Sequence, residues 1–387
     1  MELPGGERTW TVLGPGGRIV EPAEDLLEFM RATGCSPNTI KSYARGLGLW
    51  WEFLLGEGRA WDEVRIDDFG AFLTWLRTGH GSEVTAIIDR PARFSEATIS
   101  VRLQAVYALY RHHHRNGVEA ASRLYERMAG SGGRYRPFLE HVARKRGSRR
   151  QVIRVRRDPR REAPTLTPAQ IGVIKDACCV FESGQWRGSV RDRLLFALLE
   201  STGMRLGEAL GLQHRDWHTG RGDTPFVEIQ PREDHPYGLR VKGGGYRKIH
   251  LADEVDALYG EYLWQLCEAG IDLAVPDLDG HYIFVNVARE PRWRAMRPET
   301  VYKLTARLKK RLAGRVPVGW TPHWLRHTHA SALLLAGAPA HVVSRRLGHA
   351  DVQTTLNLYA WVTEDAELRA LADWKTLTER WRVDAAG

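Results

Sequence analysis

The sequence is poor in cysteine and has no long uninterrupted apolar segment. A transmembrane helix needs about 18 or more consecutive apolar residues. No such run occurs among the 387 residues, so no membrane-spanning helix is expected. The first residues, MELPGGERTW, lack the basic and then apolar order of a signal peptide. The four cysteines, Cys35, Cys178, Cys179 and Cys267, form no C-x-x-C pair, which favours buried free thiols in a reducing compartment.

Motifs for the common cofactors are also missing. The sequence has no P-loop, no dinucleotide-binding fingerprint and no spaced cluster of metal ligands. His112, His113 and His114 are consecutive. Because consecutive residues of a helix point in different directions, these three side chains cannot ligate one ion together. Neither a metal nor a cofactor is therefore expected.

Basic residues exceed acidic ones, and the whole excess lies in one segment. The chain has 56 Lys and Arg against 47 Asp and Glu, a net charge of +9. Residues 144–161, RKRGSRRQVIRVRRDPRR, hold ten Lys or Arg and one Asp, which leaves 46 charges of each sign elsewhere. Such a segment repels itself unless it meets a polyanion, which favours a DNA or RNA backbone as partner. A solvated linker without a partner is the alternative.

Hydrophobic periodicity divides the chain into four parts. Residues 1–20 predict an extended arm or a small strand pair, and residues 21–143 predict a helical domain. Residues 144–164 form a basic linker, and residues 165–387 a second domain with a helical tail. These patterns predict a mainly α protein of the α+β class, with a small antiparallel sheet in the second domain.

Start signals place the predicted elements. Ser36-Pro37, Ser95 and Thr167-Pro168 are typical of helix starts. Helices are predicted at residues 25–31, 37–58, 66–77 and 95–114, and in the second domain at 168–178, 192–200, 257–269 and 297–313. Strands are predicted at 226–229 and 282–287, and residues 239–242 and 246–251 predict a hairpin around a Gly-rich tip.

The densest set of chemically active side chains lies between residues 321 and 361. Helices are predicted from Pro322 to before Gly337, from residue 339 to 347 with Gly348 as the stop, and from residue 351 onward. His323 and Arg326 share one face of the first helix, because they are three residues apart. They also lie near its N-terminus, where unpaired N–H groups and the helix dipole attract anions.

A second motif follows the apolar helix predicted at residues 192–200. The sequence Thr202-Gly-Met-Arg-Leu-Gly-Glu places Arg205 after a glycine turn and Glu208 three residues later. A guanidinium is always charged and its fork fits two phosphate oxygens, so a pair of arginines suits a phosphate site. A structural ion pair between Arg205 and Glu208 is the alternative.

Together these motifs resemble those of the tyrosine recombinases, the phage integrase family. T-G-x-R-x-x-E around Arg205 matches, as do H-x-L-R-H-T-x-A, L-G-H, T-T and Tyr between His323 and Tyr359. The resemblance covers residues 165–365, and S-x-N-T-I-x-S-Y at residues 36–43 is similar to the family's core-binding domain. It implies a helical core-binding domain and a catalytic domain that form a C-shaped clamp on DNA.

The resemblance also implies the catalytic positions, which are Arg205, Lys242, His323, Arg326, His349 and Tyr359. Both arginines and His349 would bind the phosphate, and Tyr359 would attack it to form a 3′-phosphotyrosyl link. His323 would be the general base and Lys242 the general acid. Glu208 would support Arg205.

Two departures from the family pattern affect these assignments. The usual G-K-G is here V-K-G, so Lys248 competes with Lys242 for the role of general acid. Tyr359 follows His349 by ten positions where many relatives have nine, which leaves open whether Tyr359 acts within its own subunit or on a neighbour's site.

Further DNA contacts are expected in three places. The core-binding helix offers Thr39, Lys41 and Arg45. The basic segment offers Arg144, Lys145, Arg146, Arg149, Arg150, Arg154, Arg156 and Arg157. The helix predicted at residues 297–313 carries Lys303 and Arg307, which suit the major groove. For each group, an ordinary solvated polar face is the alternative.

The resemblance implies a site-specific DNA recombinase, an integrase or transposase, that works without metal or ATP. A type IB topoisomerase-like relaxing enzyme and a non-cleaving DNA-binding regulator are the alternatives. The implied partners are double-stranded DNA at specific recombination sites, further copies of the chain in a tetramer, and accessory recombination proteins. The implied location is the bacterial cytoplasm, at the nucleoid and not at a membrane.

Overall fold

The computed structural model describes residues 9–79, 93–115, 125–126, 150–151, 163–220, 222–232, 235–241, 245–288, 290–349 and 351–358. The chain divides into two compact units, residues 1–159 and 160–387. Over the described ranges no helix has the length and apolar character needed to cross a membrane.

The first unit is helical. Its helices are α1 (Glu21–Ala32), α2 (Pro37–Gly56), α3 (Ile66–Thr78) and α4 (Glu96–Arg115), which agree closely with the predicted positions. Ser36 caps α2 by accepting the Thr39 N–H at 3.2 Å, as the Ser-Pro start predicts. Two short strands, β1 (Tyr125–Glu126) and β2 (Arg150–Gln151), pair antiparallel.

Aromatic side chains fill the core of the first unit. Trp50 of α2 is fully buried against Phe69 and Phe72 of α3, and its Nε1 donates to the Tyr110 hydroxyl of α4 at 3.2 Å. α2 and α4 approach closely at Gly46, where an added Cβ would stand 2.8 Å from the Ala105 Cβ. The three helices thus form one hydrophobic core, and a larger residue at position 46 would push α4 away.

The consecutive histidines of α4 belong to this core and its rim. His113 is buried against Trp61, and its Nε2 lies 2.8 Å from the Pro22 carbonyl oxygen. His112 packs on the Phe29 ring instead. The two rings therefore pack on different aromatic neighbours, Trp61 and Phe29. Within the described part of the chain, no three His, Cys, Asp or Glu side chains group as metal ligands.

Over the described residues, the second unit contains more helices and strands than the first. Its helices are α5 (Pro168–Cys178), α6 (Val190–Thr202), α7 (Leu206–Leu210), α8 (Asp253–Glu268), α9 (Ile271–Ala274), α10 (Pro298–Arg311), α11 (Pro322–Leu335), α12 (Ala340–Leu347) and α13 (Val352–Leu358). Its strands are β3 (Cys179–Glu182), β4 (Gln185–Gly188), β5 (Trp217–His218), β6 (Phe226–Ile229) and β7 (Arg247–His250). The predicted mainly helical fold with small antiparallel sheets is confirmed.

α6 is the central helix of this unit. Residues 194–199 are all buried, so the helix is apolar on every side, as expected for an element inside a core. Phe196 packs edge-on against Trp320, which is fully buried just before α11. α6 ends where Gly203 adopts φ 63°, a left-handed conformation that suits glycine. The chain therefore reverses direction directly before Arg205.

The predicted hairpin of residues 239–242 with 246–251 is wrong in its pairing. β7 pairs antiparallel with β6, with Val227 opposite Ile249, and residues 239–241 are not a strand. Leu239 and Val241 both pack on the hydrophobic core, although the segment is not a strand. Two apolar residues separated by one polar residue therefore give the same sequence pattern as a strand. The strand predicted at residues 282–287 is also wrong, since only isolated bridges occur there, at Tyr282 and Val285.

One hairpin was not expected from the sequence. β3 and β4 pair through a two-residue turn at Ser183 and Gly184, which have φ 52° and 79°. Positive φ at both central residues is typical of a tight hairpin turn. The Ser-Gly dipeptide between two apolar segments was the available signal.

Candidate active site

Arg205 and Glu208 lie at the start of α7, directly after the reversal at Gly203. Glu208 Oε2 accepts the Arg205 backbone N–H at 2.8 Å, and Oε1 accepts Arg205 Nη1 at 2.9 Å. The carboxylate therefore caps the helix and holds the guanidinium at the same time. The Arg205 side chain remains 24% exposed, whereas that of Glu208 is 1% exposed. Arg205 is thus available to a ligand while its support is not.

A second arginine shares this buried carboxylate. Arg247 of β7 donates from Nη2 to Glu208 Oε2 at 2.6 Å, and its side chain is 8% exposed. Burial alone raises the pKa of Glu208, but the charges of Arg247 and Arg205 and their hydrogen bonds lower it below the usual value overall. Glu208 is therefore ionised between two guanidiniums. Arg247 was not among the residues predicted from the sequence.

The end of α12 binds three arginines through consecutive carbonyl groups. Arg247 Nε donates to the Arg346 oxygen at 3.1 Å, and Arg326 Nη2 donates to the Leu347 oxygen at 2.8 Å. Arg205 donates from Nη1 and Nη2 to the Gly348 oxygen at 3.3 and 3.2 Å. The last carbonyls of a helix lack intrahelical partners and carry the negative end of its dipole, so guanidiniums satisfy and stabilise them.

Arg326 is fixed from two sides. It lies in α11, is only 3% exposed, and also donates from Nη1 to the Gly203 oxygen at 2.8 Å. Arg326 thus connects the α6–α7 turn, which precedes Arg205, to the end of α12. Positions 203 and 348 both require glycine, because there is no room for a Cβ atom at either. An added Cβ at Gly203 would stand 2.7 Å from His329 Cδ2, and at Gly348 2.7 Å from Arg247 Nη1.

His349 follows α12 and lies next to the arginines. Its Nδ1 is 2.7 Å from the Thr355 hydroxyl oxygen of α13. Burial and the charges of Arg326 and Arg205 lower the pKa of His349 to about 4. The ring is therefore neutral at physiological pH, and it has one N–H to donate.

His323 stands in the first turn of α11, on the exposed side. Loss of hydration around the ring, together with the charges of Arg326 and Arg205, lowers the pKa of His323 below its usual value. Its ring packs edge-on against His327, with centroids 4.5 Å apart. The pKa of His327 is lowered to about 4 by burial first and then by His323 and Arg326. Both imidazoles are therefore neutral near pH 7.

The structure thus brings five predicted residues to one place: Arg205, Glu208, His323, Arg326 and His349. Lys242 and Tyr359 lie outside the described residues, although α13 ends at Leu358, next to Tyr359 in the chain. Lys248 lies on β7 with its Nζ 3.3 Å from the centroid of the Phe226 ring. The described geometry therefore includes the residues expected to bind the phosphate, and not those expected to be the nucleophile and the general acid.

The predicted DNA contacts lie on two helices and in the basic segment. On α2, Arg45 and Thr39 are exposed, while Lys41 lies over the Trp10 ring at 5.7 Å. Lys303 and Arg307 are exposed one turn apart on α10, so they share a face. Most of the basic segment lies outside the described residues; Arg150 belongs to β2.

Comparison with known proteins gives the family of each part of the chain. The family model described as "Phage integrase family" matches residues 164–365. The model described as "Phage integrase, N-terminal SAM-like domain" matches residues 24–117. The first match covers all five clustered residues and also includes Lys242 and Tyr359.

Two curated relatives match almost the whole chain. Transposase A from transposon Tn554 of Staphylococcus aureus is 28% identical over 90% of this chain and 89% of the transposase. The tyrosine recombinase XerD of Oceanobacillus iheyensis is 25% identical over 88% of this chain and 93% of XerD. Both names denote recombination or transposition, and neither denotes DNA relaxation or transcriptional regulation.

Solved structures of related fold include DNA complexes. The Tn1549 transposon integrase bound to transposon right end DNA matches with TM-score 0.58 and 18% identity, over 91% of this chain and 99% of the integrase. XerH site-specific recombinase bound to a palindromic difH substrate, in a post-cleavage complex, matches with TM-score 0.57 and 17% identity. That match covers 91% of this chain and 85% of XerH. At this identity the similarity is one of fold.

Proposed function

We propose a residue-level mechanism for this chain, which belongs to the phage integrase family of tyrosine recombinases and carries out site-specific DNA recombination. Arg205, Arg326 and His349 bind the scissile phosphate, and Tyr359 attacks it. The observation that carries the proposal is the convergence of these two arginines and His349 at the end of α12. Two guanidiniums and one imidazole N–H on one helix end suit a phosphate, which carries negative charge on two non-bridging oxygens.

The proposed chemistry proceeds in two displacement steps. The Tyr359 oxygen forms a bond to phosphorus, its proton passes to neutral His323, and the bond from phosphorus to the 5′ oxygen breaks. Lys242 gives a proton to that leaving oxygen. The product is a 3′-phosphotyrosyl link, and the 5′ hydroxyl of a partner strand then displaces Tyr359 in the reverse sense. The bond energy is kept in the phosphotyrosine, so no ATP is consumed.

The support for His323 as base comes from its surroundings. A general base must be unprotonated at the working pH, and the lowered pKa of His323 meets this condition. The nearby Arg326 and Arg205 also stabilise the charge that builds on the phosphate during attack. The same arginines therefore keep the base neutral and stabilise the transition state.

Binding to DNA involves both units in this proposal. We propose that α2, with Thr39, Lys41 and Arg45, and the α10 face with Lys303 and Arg307 both contact the duplex. The arginines of residues 144–157 neutralise further phosphates, since Lys and Arg that do so dominate affinity for DNA. Four copies on two duplexes, with accessory proteins, complete the recombining complex at the nucleoid. Relatives named as a transposase and a transposon integrase support a role in a mobile element.

A covalent-capture assay tests this function. The Tyr359→Phe variant binds DNA without cleaving it, so it selects the target site from a random-sequence library. Wild type is then incubated with a labelled, nicked duplex of that site and separated on a denaturing gel. A protein-linked band is expected for wild type and for Tyr246→Phe, which loses an exposed phenol bonded to Glu228, but not for Tyr359→Phe. A covalent band with Tyr359→Phe overturns the proposed nucleophile.

A further inference from the structure

Thr355 of α13 contacts the His349 ring, and Thr355 has no role in the function proposed above. Thr355 lies in the second turn of α13 and is fully buried, and its Oγ1 is 2.7 Å from His349 Nδ1. The backbone on either side is also hydrogen-bonded: the His349 N–H donates to the Ser344 oxygen at the end of α12, and the Thr354 N–H donates to the Asp351 oxygen at the start of α13, both at 3.0 Å. The backbone of His349 and the first turn of α13 are therefore each held in place.

The direction of this hydrogen bond follows from the hydroxyl's surroundings. A threonine inside a helix commonly donates to the carbonyl four residues earlier, as Thr305 does to Val301 at 2.9 Å and Thr328 to Trp324 at 3.0 Å. Thr355 makes no such bond to Asp351, and its described partner is the His349 ring. A buried hydroxyl proton left without an acceptor is costly, so Thr355 donates and Nδ1 accepts.

The protonation state of the His349 ring decides what its other nitrogen can do. His349 is neutral, because burial and the nearby Arg326 and Arg205 lower its pKa to about 4. A neutral imidazole has one N–H and one acceptor nitrogen, and the partner of one nitrogen decides the role of the other. When Nδ1 accepts, Nε2 carries the hydrogen. Among the described residues none makes a hydrogen bond to Nε2, which leaves that N–H for an external oxygen.

We propose that Thr355 is a positioning residue that holds His349 in the tautomer with hydrogen on Nε2, so that this N–H donates to the scissile phosphate. The proposal deepens the proposed function and rests on it for the role of His349. A hydroxyl is needed at position 355, and the methyl group of threonine is not. The adjacent Thr354 is exposed and serves as a matched control.

The first experiment measures the single-turnover rate of covalent complex formation on the nicked duplex. Thr355→Val keeps the shape and removes the hydroxyl, so the rate should fall by about tenfold, the equivalent of one lost hydrogen bond. Thr355→Ser should restore most of the rate, and Thr354→Val should leave it near wild type. DNA affinity should be unchanged in all three. A Thr355→Val rate equal to wild type overturns the proposal.

A double-mutant cycle separates positioning of the ring from seating of α13. If Thr355 acts through His349, adding Thr355→Val to His349→Ala costs no further rate. If Thr355 only seats the helix that precedes Tyr359, the same tenfold loss recurs in the His349→Ala background, and the proposal is wrong. Thermal unfolding of each variant confirms that the fold is retained.

A second measurement requires no DNA cleavage. Protein labelled with ¹⁵N-histidine is examined by NMR, and the ring signals of His349 are assigned by their loss in His349→Ala. Wild type should show hydrogen on Nε2, and Thr355→Val a mixture of tautomers. Hydrogen on Nδ1 in wild type overturns the inference even if the enzyme cleaves DNA. If wild type forms no covalent complex, the proposed function fails, while this measurement still decides the tautomer.

Discussion

Replacing Glu208 by Gln tests whether the buried carboxylate organises the arginines. Glu208 accepts three hydrogen bonds, from Arg205 N, Arg205 Nη1 and Arg247 Nη2 at 2.8, 2.9 and 2.6 Å. A glutamine has one acceptor oxygen, so its NH₂ group must face at least one donor. The variant also leaves Arg247, which is 8% exposed, without a counter-charge.

The expected loss is large because the group is buried. Removing one partner of a buried ion pair typically costs about 3–5 kcal/mol. Because glutamine keeps one acceptor, we expect the lower end, about 3 kcal/mol in the free energy of unfolding of the second unit. Glu200→Gln is the matched control: Glu200 pairs with Lys175 at 2.6 Å, but both side chains are partly exposed. That substitution should cost less than about 1 kcal/mol.

The assay must report on the second unit alone, since a chain with two units need not unfold in one transition. Hydrogen exchange followed by mass spectrometry gives a free energy of opening for peptides from α7 and α12. The dependence on pH has a defined sign. The pKa of Glu208 is lowered in the folded state, so its contribution is complete above the unfolded value of about 4.3 and is lost as pH falls through the folded pKa.

The difference between wild type and Glu208→Gln should therefore be constant near neutral pH and shrink under acid conditions. Covalent complex formation should also slow in Glu208→Gln, because Arg205 loses its support. If Glu208→Gln and Glu200→Gln open with the same free energy, the carboxylate is not the organising group and the reasoning is refuted.

Further predictions concern the remaining groups. Lys242→Ala should slow cleavage of ordinary DNA, but its rate should recover with a 5′-bridging sulfur substrate, whose leaving group needs no proton. Lys248→Ala should cleave both substrates as wild type does. The reverse result would assign the role of general acid to Lys248. Replacing Arg154, Arg156 and Arg157 together by Gln should weaken binding to all sequences and flatten the slope of log K against log salt by about 3. An unchanged slope would show that this segment does not contact DNA. The rate of cleavage by wild type should fall with decreasing pH only below about 6.5, the usual pKa of histidine, because the pKa of His323 is lowered and the protonated ring cannot act as base. A midpoint above about 6.5 contradicts the assignment of His323 as general base. Gly348→Ala should displace Arg247 and lower the rate of covalent complex formation, since φ is 67° and the added Cβ would stand 2.7 Å from Arg247 Nη1; a wild-type rate in that variant would contradict this geometry.

Much of the helical fold was predictable because its signals are local. Ser36-Pro37 and Thr167-Pro168 begin helices, and Gly348 ends one, through capping interactions between neighbouring residues. Strand pairing was less predictable. Leu239 and Val241 alternate as a strand would, yet they pack on the core, and β7 finds its partner in β6 across a long connection. Periodicity reports burial, not the partner.

The same distinction applies to the site. Arg205, Arg326 and His349 were identified because they lie in motifs whose spacing is visible in the chain. Arg247 was missed, because its role depends on contact with Glu208, which lies 39 positions away and on another element. The available signal was alternation: Arg247 lies two positions before Ile249 and therefore on the same, buried face of β7. A charged residue on the buried face of a strand needs a partner.

The carbonyl groups at the end of α12 hold several side chains of the site, so the position of this helix sets the position of those side chains. A rotation of α12 by a few degrees displaces Arg205, Arg326 and His349 together, so the three groups are aligned or misaligned as one part. Measured effects of substitutions among them will consequently not add. Substitutions on the outer surface of α12 therefore offer a way to tune the timing of cleavage without altering any group that we propose to bind the phosphate.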